Sequence, residues 1–196
     1  MATVWFVTHP DVVIDPALPV TGWPLSARGR ARMRAALARP WARGVGAIWA
    51  STERKAVDAA AILADGLGLG FATLAELGEI GRSATGYLPR AEFEATADLF
   101  FAHPERSTRG WERAVDAQRR ILGAVETVLA ASPAAADIAI VAHGAVGALL
   151  VAALEGVPIS RAHDQPPGTD GSQGGHLFPF DRRTRLVRHG WRRIED

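Results

Sequence analysis

The sequence predicts an α/β domain of three layers, with helices on both faces of a mainly parallel central sheet. Short apolar runs rich in β-formers alternate along the chain with longer stretches of helical spacing, as βα units require. Three of those runs stop on a polar residue, His9, Ser51 or His143. In an open parallel sheet such strand ends lie along one edge, where α/β proteins place their sites.

The first run, TVWFVT, ends at His9 and Pro10, and a proline-rich loop follows to Pro24. Ser26 is suited to cap a helix running to Arg39, where Pro40 forbids continuation. Met33, Ala36 and Leu37 give that helix its apolar face, and Arg28, Arg30, Arg32 and Arg34 are expected on a solvated one. Residues 46–50 read as a second strand, with Ser51 or Thr52 capping a helix that Gly66 and Gly68 end. Residues 70–74 suggest a third short strand, and the aperiodic stretch after it a loop carrying Glu76, Glu79 and Arg82.

Pro89 suits the first position of a helix over residues 90–102, with Phe93, Ala97, Phe100 and Phe101 on one stripe. Helical spacing is nearly unbroken over residues 111–131. Residues 137–142 form a strand that stops at His143, and an apolar helix closed near Gly156 follows. The Pro/Gly loop over residues 157–175 is longer than a connector needs and is expected to be functional or mobile. Residues flanking 181–184 are expected to pair as a hairpin at the sheet edge, where Pro179 would be tolerated.

Composition narrows the function. With 196 residues and 48% hydrophobic content, one domain over residues 1–196 can bury a sizeable core. A formal net charge of +1 gives no nucleic-acid footprint, so a small-molecule partner is expected. The absence of cysteine excludes disulfides, thiolate metal sites and a cysteine nucleophile. The six histidines lack the spacing of common metal motifs, and no metal or other cofactor is expected. No signal-peptide pattern or apolar run near ~18 residues is present, which predicts a cytoplasmic protein without a membrane partner. One core accounts for the apolar faces, and the oligomeric state is open.

Two histidines at strand ends on one edge of the sheet, a cation from the second unit and a carboxylate from the loop after it suit phosphoryl transfer. A neutral imidazole attacks phosphorus, cations offset the charge on oxygen, and a carboxylic acid protonates the departing alcohol. The segments VTHP, LSARG (25–29), STERKA (51–56), LGEIGR (77–82) and VAHG (141–144) occur in an order and at a spacing that resemble the histidine phosphatase superfamily, the phosphoglycerate-mutase-like phosphatases among them.

The resemblance spans nearly the whole chain and implies a metal-independent phosphatase acting on a small phosphate monoester through a phosphohistidine. His9 resembles the nucleophile and His143 the second histidine, which binds phosphoryl oxygens. Glu79 resembles the loop acid/base, with Glu76 as the competing register. Thr8 stands where the family has a phosphate-binding arginine, Pro10 where it has glycine, and Asp15 where many members have asparagine. Lys55 falls at the second arginine position, and Arg54 lies ~100° around the helix from it. Lys55 and Arg82 are therefore expected to share phosphate binding. Losing one charged donor typically costs ~3–4 kcal/mol of transition-state stabilisation, which leaves a slow enzyme. The alternative is a weak or inactive member that binds a phosphorylated ligand or protein as a sensor or scaffold. A mutase ranks lower.

Overall fold

The computed structural model describes residues 2–168 and 170–196. In chain order the elements are β1 (Thr3–Thr8), α1 (Ala27–Ala36), α2 (Pro40–Arg43), β2 (Val45–Ala50), α3 (Arg54–Leu67), β3 (Ala72–Thr73), α4 (Arg90–Ala102), α5 (Ala114–Ala131), β4 (Asp137–Ala142), α6 (Gly144–Glu155), β5 (His176–Asp181) and β6 (Arg192–Arg193). The strands form one sheet in the order β3-β2-β4-β1-β5-β6. β1 to β4 run parallel, and β5 and β6 extend the sheet antiparallel.

Strand alternation sorts the core into two clusters and makes the three layers. Val4, Phe6, Ile138 and Ile140 face Ile121, Val125 and Val128 of α5 and Leu149 of α6. Val7, Ala139 and Val141 face Met33 and Ala36 of α1 and Ala59 and Leu63 of α3. Because β1 and β4 are covered on both sides, their sequences read as continuous apolar runs rather than alternating ones. Among the described residues, no helix is long and apolar enough to cross a membrane.

Several elements depart from the sequence reading. The long helix begins at Ala114, not at Trp111, because Arg109 and Gly110 take left-handed backbone angles (φ 54° and 81°) that turn the chain first. Trp111 is still buried, and its indole N–H donates to Thr85 Oγ1 at 2.8 Å, closing the loop ahead of α4. Neither Ser51 nor Thr52 caps α3: its N-cap is Glu53, and the Ser51 hydroxyl accepts the Glu53 backbone N–H at 3.2 Å, two residues too early. Beyond Asp181 the expected second strand of the hairpin is reduced to a Phe180–Val187 bridge and the two-residue β6. The Asp181 carboxylate draws the chain into a turn there, accepting the N–H groups of Arg183 and Thr184 at 2.9 and 2.8 Å.

Arg32 is the clearest correction. It is 7% exposed rather than solvated. Its guanidinium donates to Asp11 Oδ2 at 2.9 Å and Glu195 Oε1 at 2.8 Å, and to the carbonyls of Gln173, Gly174 and Gly175 at 3.1 Å each. One side chain thus ties α1 to the loop after His9, to the end of the 157–175 loop and to the C-terminal residues. That loop is fastened elsewhere too, since Arg161 donates to Asp98 Oδ1 at 2.9 Å and the Trp191 indole donates to the His163 carbonyl at 2.8 Å.

Removing one partner of a buried ion network leaves uncompensated charge and costs about 3–5 kcal/mol. Arg32→Met should lower stability to urea by that order. Burial alone would push the Asp11 and Glu195 carboxyls up, but the Arg32 guanidinium holds both below their ordinary values of 3.8 and 4.5. Their contribution is therefore present above that range and is lost as the pH falls through the depressed values. The stability gap between wild type and Arg32→Met should narrow below about pH 4, measured by urea titration across pH.

Candidate active site

Parallel pairing of β2, β4 and β1 sets Ser51, His143 and His9 side by side at the carboxyl edge of the sheet. The ladder continues one residue past the strands, with His9 N–H donating to the Ala142 carbonyl at 3.1 Å and Ser51 N–H to the Val141 carbonyl at 3.0 Å. The His9 and His143 rings meet edge to face, 5.2 Å between centroids. Two residues 134 positions apart in sequence are thereby in contact.

The tautomer of His9 follows from its surroundings. Nδ1 lies 3.0 Å from the Pro10 carbonyl, which can only accept, so Nδ1 carries the proton and Nε2 keeps its lone pair. Burial, followed by the proximity of His143 and Lys55, lowers the His9 pKa to about 3, against a weaker pull upward from the Pro10 carbonyl and Glu53. The ring is neutral at ordinary pH. His143 is fully buried and neither ring nitrogen has a hydrogen-bond partner. Burial, then the charges of Lys55, Arg120 and Arg82, hold its pKa well below the usual histidine range.

The first turn of α3 supplies a charged pair that the sequence reading found only by half. Lys55 is buried and donates to the Val20 carbonyl at 2.9 Å and to Glu53 Oε2. Glu53, not singled out from the sequence, is also buried. Its Oε1 accepts the Glu79 backbone N–H at 2.8 Å and lies 3.5 Å from His143 Nε2. Arg54 turns outward and pairs with Asp58 at 2.8 Å, away from Lys55. A groove of about 470 Å³ opens beside Glu53, lined by Thr21, Gly22, Thr52, Arg54 and Val57.

Of the two loop carboxylates, Glu79 joins this cluster and Glu76 is exposed. Glu79 Oε1 accepts the N–H groups of Ile80 at 3.0 Å and Val146 at 3.2 Å, and Oε2 that of Ala145 at 3.3 Å, so the carboxylate lies across the first turn of α6. Burial first, then the charge of Glu53, raises its pKa above the ordinary 4.5, and the Ile80 and Ala145 N–H groups only partly oppose this. Arg82 places its guanidinium over the Phe93 ring, 5.0 Å from the centroid. It is close enough to Glu79, Glu53 and His143 for charge to be felt between them.

Arg120 on α5 fixes the loop that carries Glu79, and it too was missed. It donates to the carbonyls of Glu76, Gly78 and Glu79 at 2.8, 2.9 and 3.2 Å. Glu112 grips the same guanidinium through both oxygens, at 3.0 and 2.8 Å, and accepts the Gly81 N–H at 3.0 Å.

A mainly parallel sheet with a histidine at the ends of two adjacent strands and a loop carboxylate against the helix that follows the second defines the phosphoglycerate-mutase-like class of α/β proteins. The sequence profile of the histidine phosphatase superfamily (branch 1) matches residues 19–171. The chain belongs to that superfamily. None of the curated proteins matches it. Among solved structures it is similar to a mycobacterial glucosyl-3-phosphoglycerate phosphatase in complex with inorganic phosphate, at 22% identity and a TM-score of 0.75 over 100% of each chain. It is also similar to YhfR of Bacillus stearothermophilus, at 23% identity and a TM-score of 0.72 over 92% of this chain and 91% of that one. A putative alpha-ribazole-5'-P phosphatase of Escherichia coli matches at 16% identity and a TM-score of 0.72, over 98% and 97%. At these identities the likeness is one of fold.

Arg120→Met would strip three carbonyls and Glu112 of their donor. The expected result is a stability loss of about 1–3 kcal/mol and amide exchange at Gly81 faster by ~10-fold, with Arg120→Lys in between. Hydrogen–deuterium exchange with urea titration checks both.

Proposed function

We infer that the protein is a metal-independent phosphatase that hydrolyses a phosphate monoester through a phosphohistidine at His9. The observation that carries this reading is the contact between His9, with its Nε2 lone pair free, and His143, whose buried ring nitrogens have no partner. A buried polar group left without a hydrogen bond costs about 1–3 kcal/mol, and such groups in a native protein are commonly completed by a ligand. A phosphoryl oxygen would complete His143. Among the described residues no three His, Asp or Glu side chains are grouped to hold a metal ion. On this reading Lys55 and Arg82 supply positive charge to the phosphoryl oxygens.

In the first step His9 Nε2 attacks phosphorus, and the bond from phosphorus to the alcohol oxygen breaks with its electron pair passing to that oxygen. Glu79, kept protonated more readily by burial and by Glu53, delivers its proton to the departing alkoxide. In the second step water attacks the phosphohistidine and gives a proton to the Glu79 carboxylate. The P–N bond breaks and its electrons return to Nε2. Lys55, Arg82 and His143 would offset charge on the phosphoryl oxygens throughout.

Acid-labile phosphoenzyme should form from p-nitrophenyl phosphate and vanish in His9→Ala. Phosphate bound without any phosphoenzyme would instead favour a binding protein, the role to which Thr8 in the motif-arginine position points. Glu79→Gln should cost ~10²–10³ in kcat toward an alkyl phosphate, whose leaving group needs a proton. Toward p-nitrophenyl phosphate, whose leaving group does not, the same variant should release one burst of phenolate and accumulate phosphohistidine. Arg82→Ala should weaken phosphate binding and turnover together, and unchanged values would remove Arg82 from the site.

Because His9 is neutral down to about pH 3, the acid limb of kcat/KM should lie well below the ordinary histidine value of 6.5. The alkaline limb should follow loss of the Glu79 proton. A pH–rate profile from pH 3 to 9 is the measurement.

A further inference from the structure

Thr8, immediately before His9, is fully buried. By alternation with Val4 and Phe6 it faces the α6 side of the sheet, opposite Ala142 of β4. Its hydroxyl accepts the His176 backbone N–H at 2.9 Å, which leaves one proton to donate. That proton has Gln165 Oε1 at 2.7 Å, closer than the His176 carbonyl at 3.3 Å. A carboxamide held by its oxygen turns its NH2 group the other way.

That nitrogen lies against the first residue of α6, since a methyl group on Gly144 would come within 2.4 Å of Gln165 Nε2. Gly144 directly follows His143, and Thr8 directly precedes His9. Gln165 therefore bridges the two strand ends that carry the histidines, on the face opposite α3 and Lys55. Among the described residues nothing accepts a hydrogen bond from its NH2 group. His143, the residue before Gly144, has no hydrogen-bond partner for either buried ring nitrogen, an independent sign that a ligand completes this strand end.

We propose that Gln165 donates hydrogen bonds to the phosphoryl group in this site, its carboxamide aimed by the Thr8 hydroxyl, in the space that an arginine at position 8 would otherwise fill. The proposal rests on the phosphatase reading above and adds a ligand to it. Thr8 is the positioning residue and Gln165 the one that touches substrate. A carboxamide presents two N–H donors in a plane, as one edge of a guanidinium does, but carries no charge. The anion's charge is then met from the α3 side by Lys55 and from the loop by Arg82, and Gln165 contributes direction.

The test is calorimetric titration of inorganic phosphate into wild type, Gln165→Ala, Gln165→Glu and Thr8→Val, with p-nitrophenyl phosphate turnover on the same samples. Gln165→Ala should weaken phosphate binding ~10-fold and lower kcat by ~10², as loss of one preorganised donor does. Gln165→Glu keeps the shape and an acceptor for the Thr8 hydroxyl, so the fold is retained. It removes the donors and adds negative charge, and should bind phosphate more weakly than Gln165→Ala. Thr8→Val, with Gln165 no longer aimed, should fall between wild type and Gln165→Ala.

The proposal is overturned if Gln165→Ala and Gln165→Glu both stay within twofold of wild type in phosphate affinity and kcat while His9→Ala abolishes turnover. Loss of thermal stability in Gln165→Ala with affinity and kcat unchanged would also overturn it, by showing a tie between loop and strand alone. Wild type that neither binds phosphate nor turns over removes the phosphatase reading itself, and the role of Gln165 with it.

Discussion

A carboxylate taken out of water is tolerated only where donors replace its hydration, and Glu53 takes its donors from two parts of the chain. Lys55 reaches it from the same helix turn and the Glu79 N–H from the following loop, while His143 Nε2 stands 3.5 Å away without a hydrogen bond to it. The Glu53 charge acts on its neighbours. Glu53 holds the Lys55 ammonium at the sheet edge and helps Glu79 keep its proton, and it is itself anchored by the peptide that carries Glu79. Removing it would leave Lys55 as an unbalanced buried cation.

The site is consequently less cationic than one built on two arginines. Lys55 is a point charge shared with Glu53, Arg82 rests on an aromatic ring, and position 8 contributes a hydroxyl. On the proposed reading, binding an anion here would depend more on oriented donors than on net field, which favours a buried site where each hydrogen bond is stronger than in water. The full burial of His143 fits that requirement. The neutral histidines follow from the same dryness, since burial is the leading cause of both depressed pKa values.

The sheet was legible because its strands are covered on both faces and so appear as apolar runs with abrupt polar ends. The helix Arg90–Ala102 and the strand Asp137–Ala142 stand at the limits the sequence suggested, each bounded by proline or by a change of period. His9 and His143 were legible as polar ends of apolar strands, while Lys55 and Glu79 were singled out through the family resemblance, and the fold brings the four near one another. Arg32 was misread, although positions 29, 32, 33 and 36 form the buried stripe of α1. The spacing was there, but a guanidinium on an apolar stripe is buried only when carboxylates arrive to meet it, and Asp11 and Glu195 come from 21 and 163 residues away. Glu53, Arg120 and Gln165 were hidden for the same reason. Each works through partners that local spacing does not reveal, and Gln165 sits in a loop with no period at all.

The position of β1 in the sheet has a consequence for how the molecule is made. Its neighbours are β4, which begins at Asp137, and β5, which begins at His176. At ~5–20 residues per second, roughly ten seconds of translation pass before either partner has been synthesised. Until then TVWFV is an apolar segment of the nascent chain with both edges open, a stretch exposed to unwanted strand pairing. The clamp that fastens the loop after His9 also needs Glu195, and so cannot close until that residue has been made. β1 is made well before the strands that hold it in place.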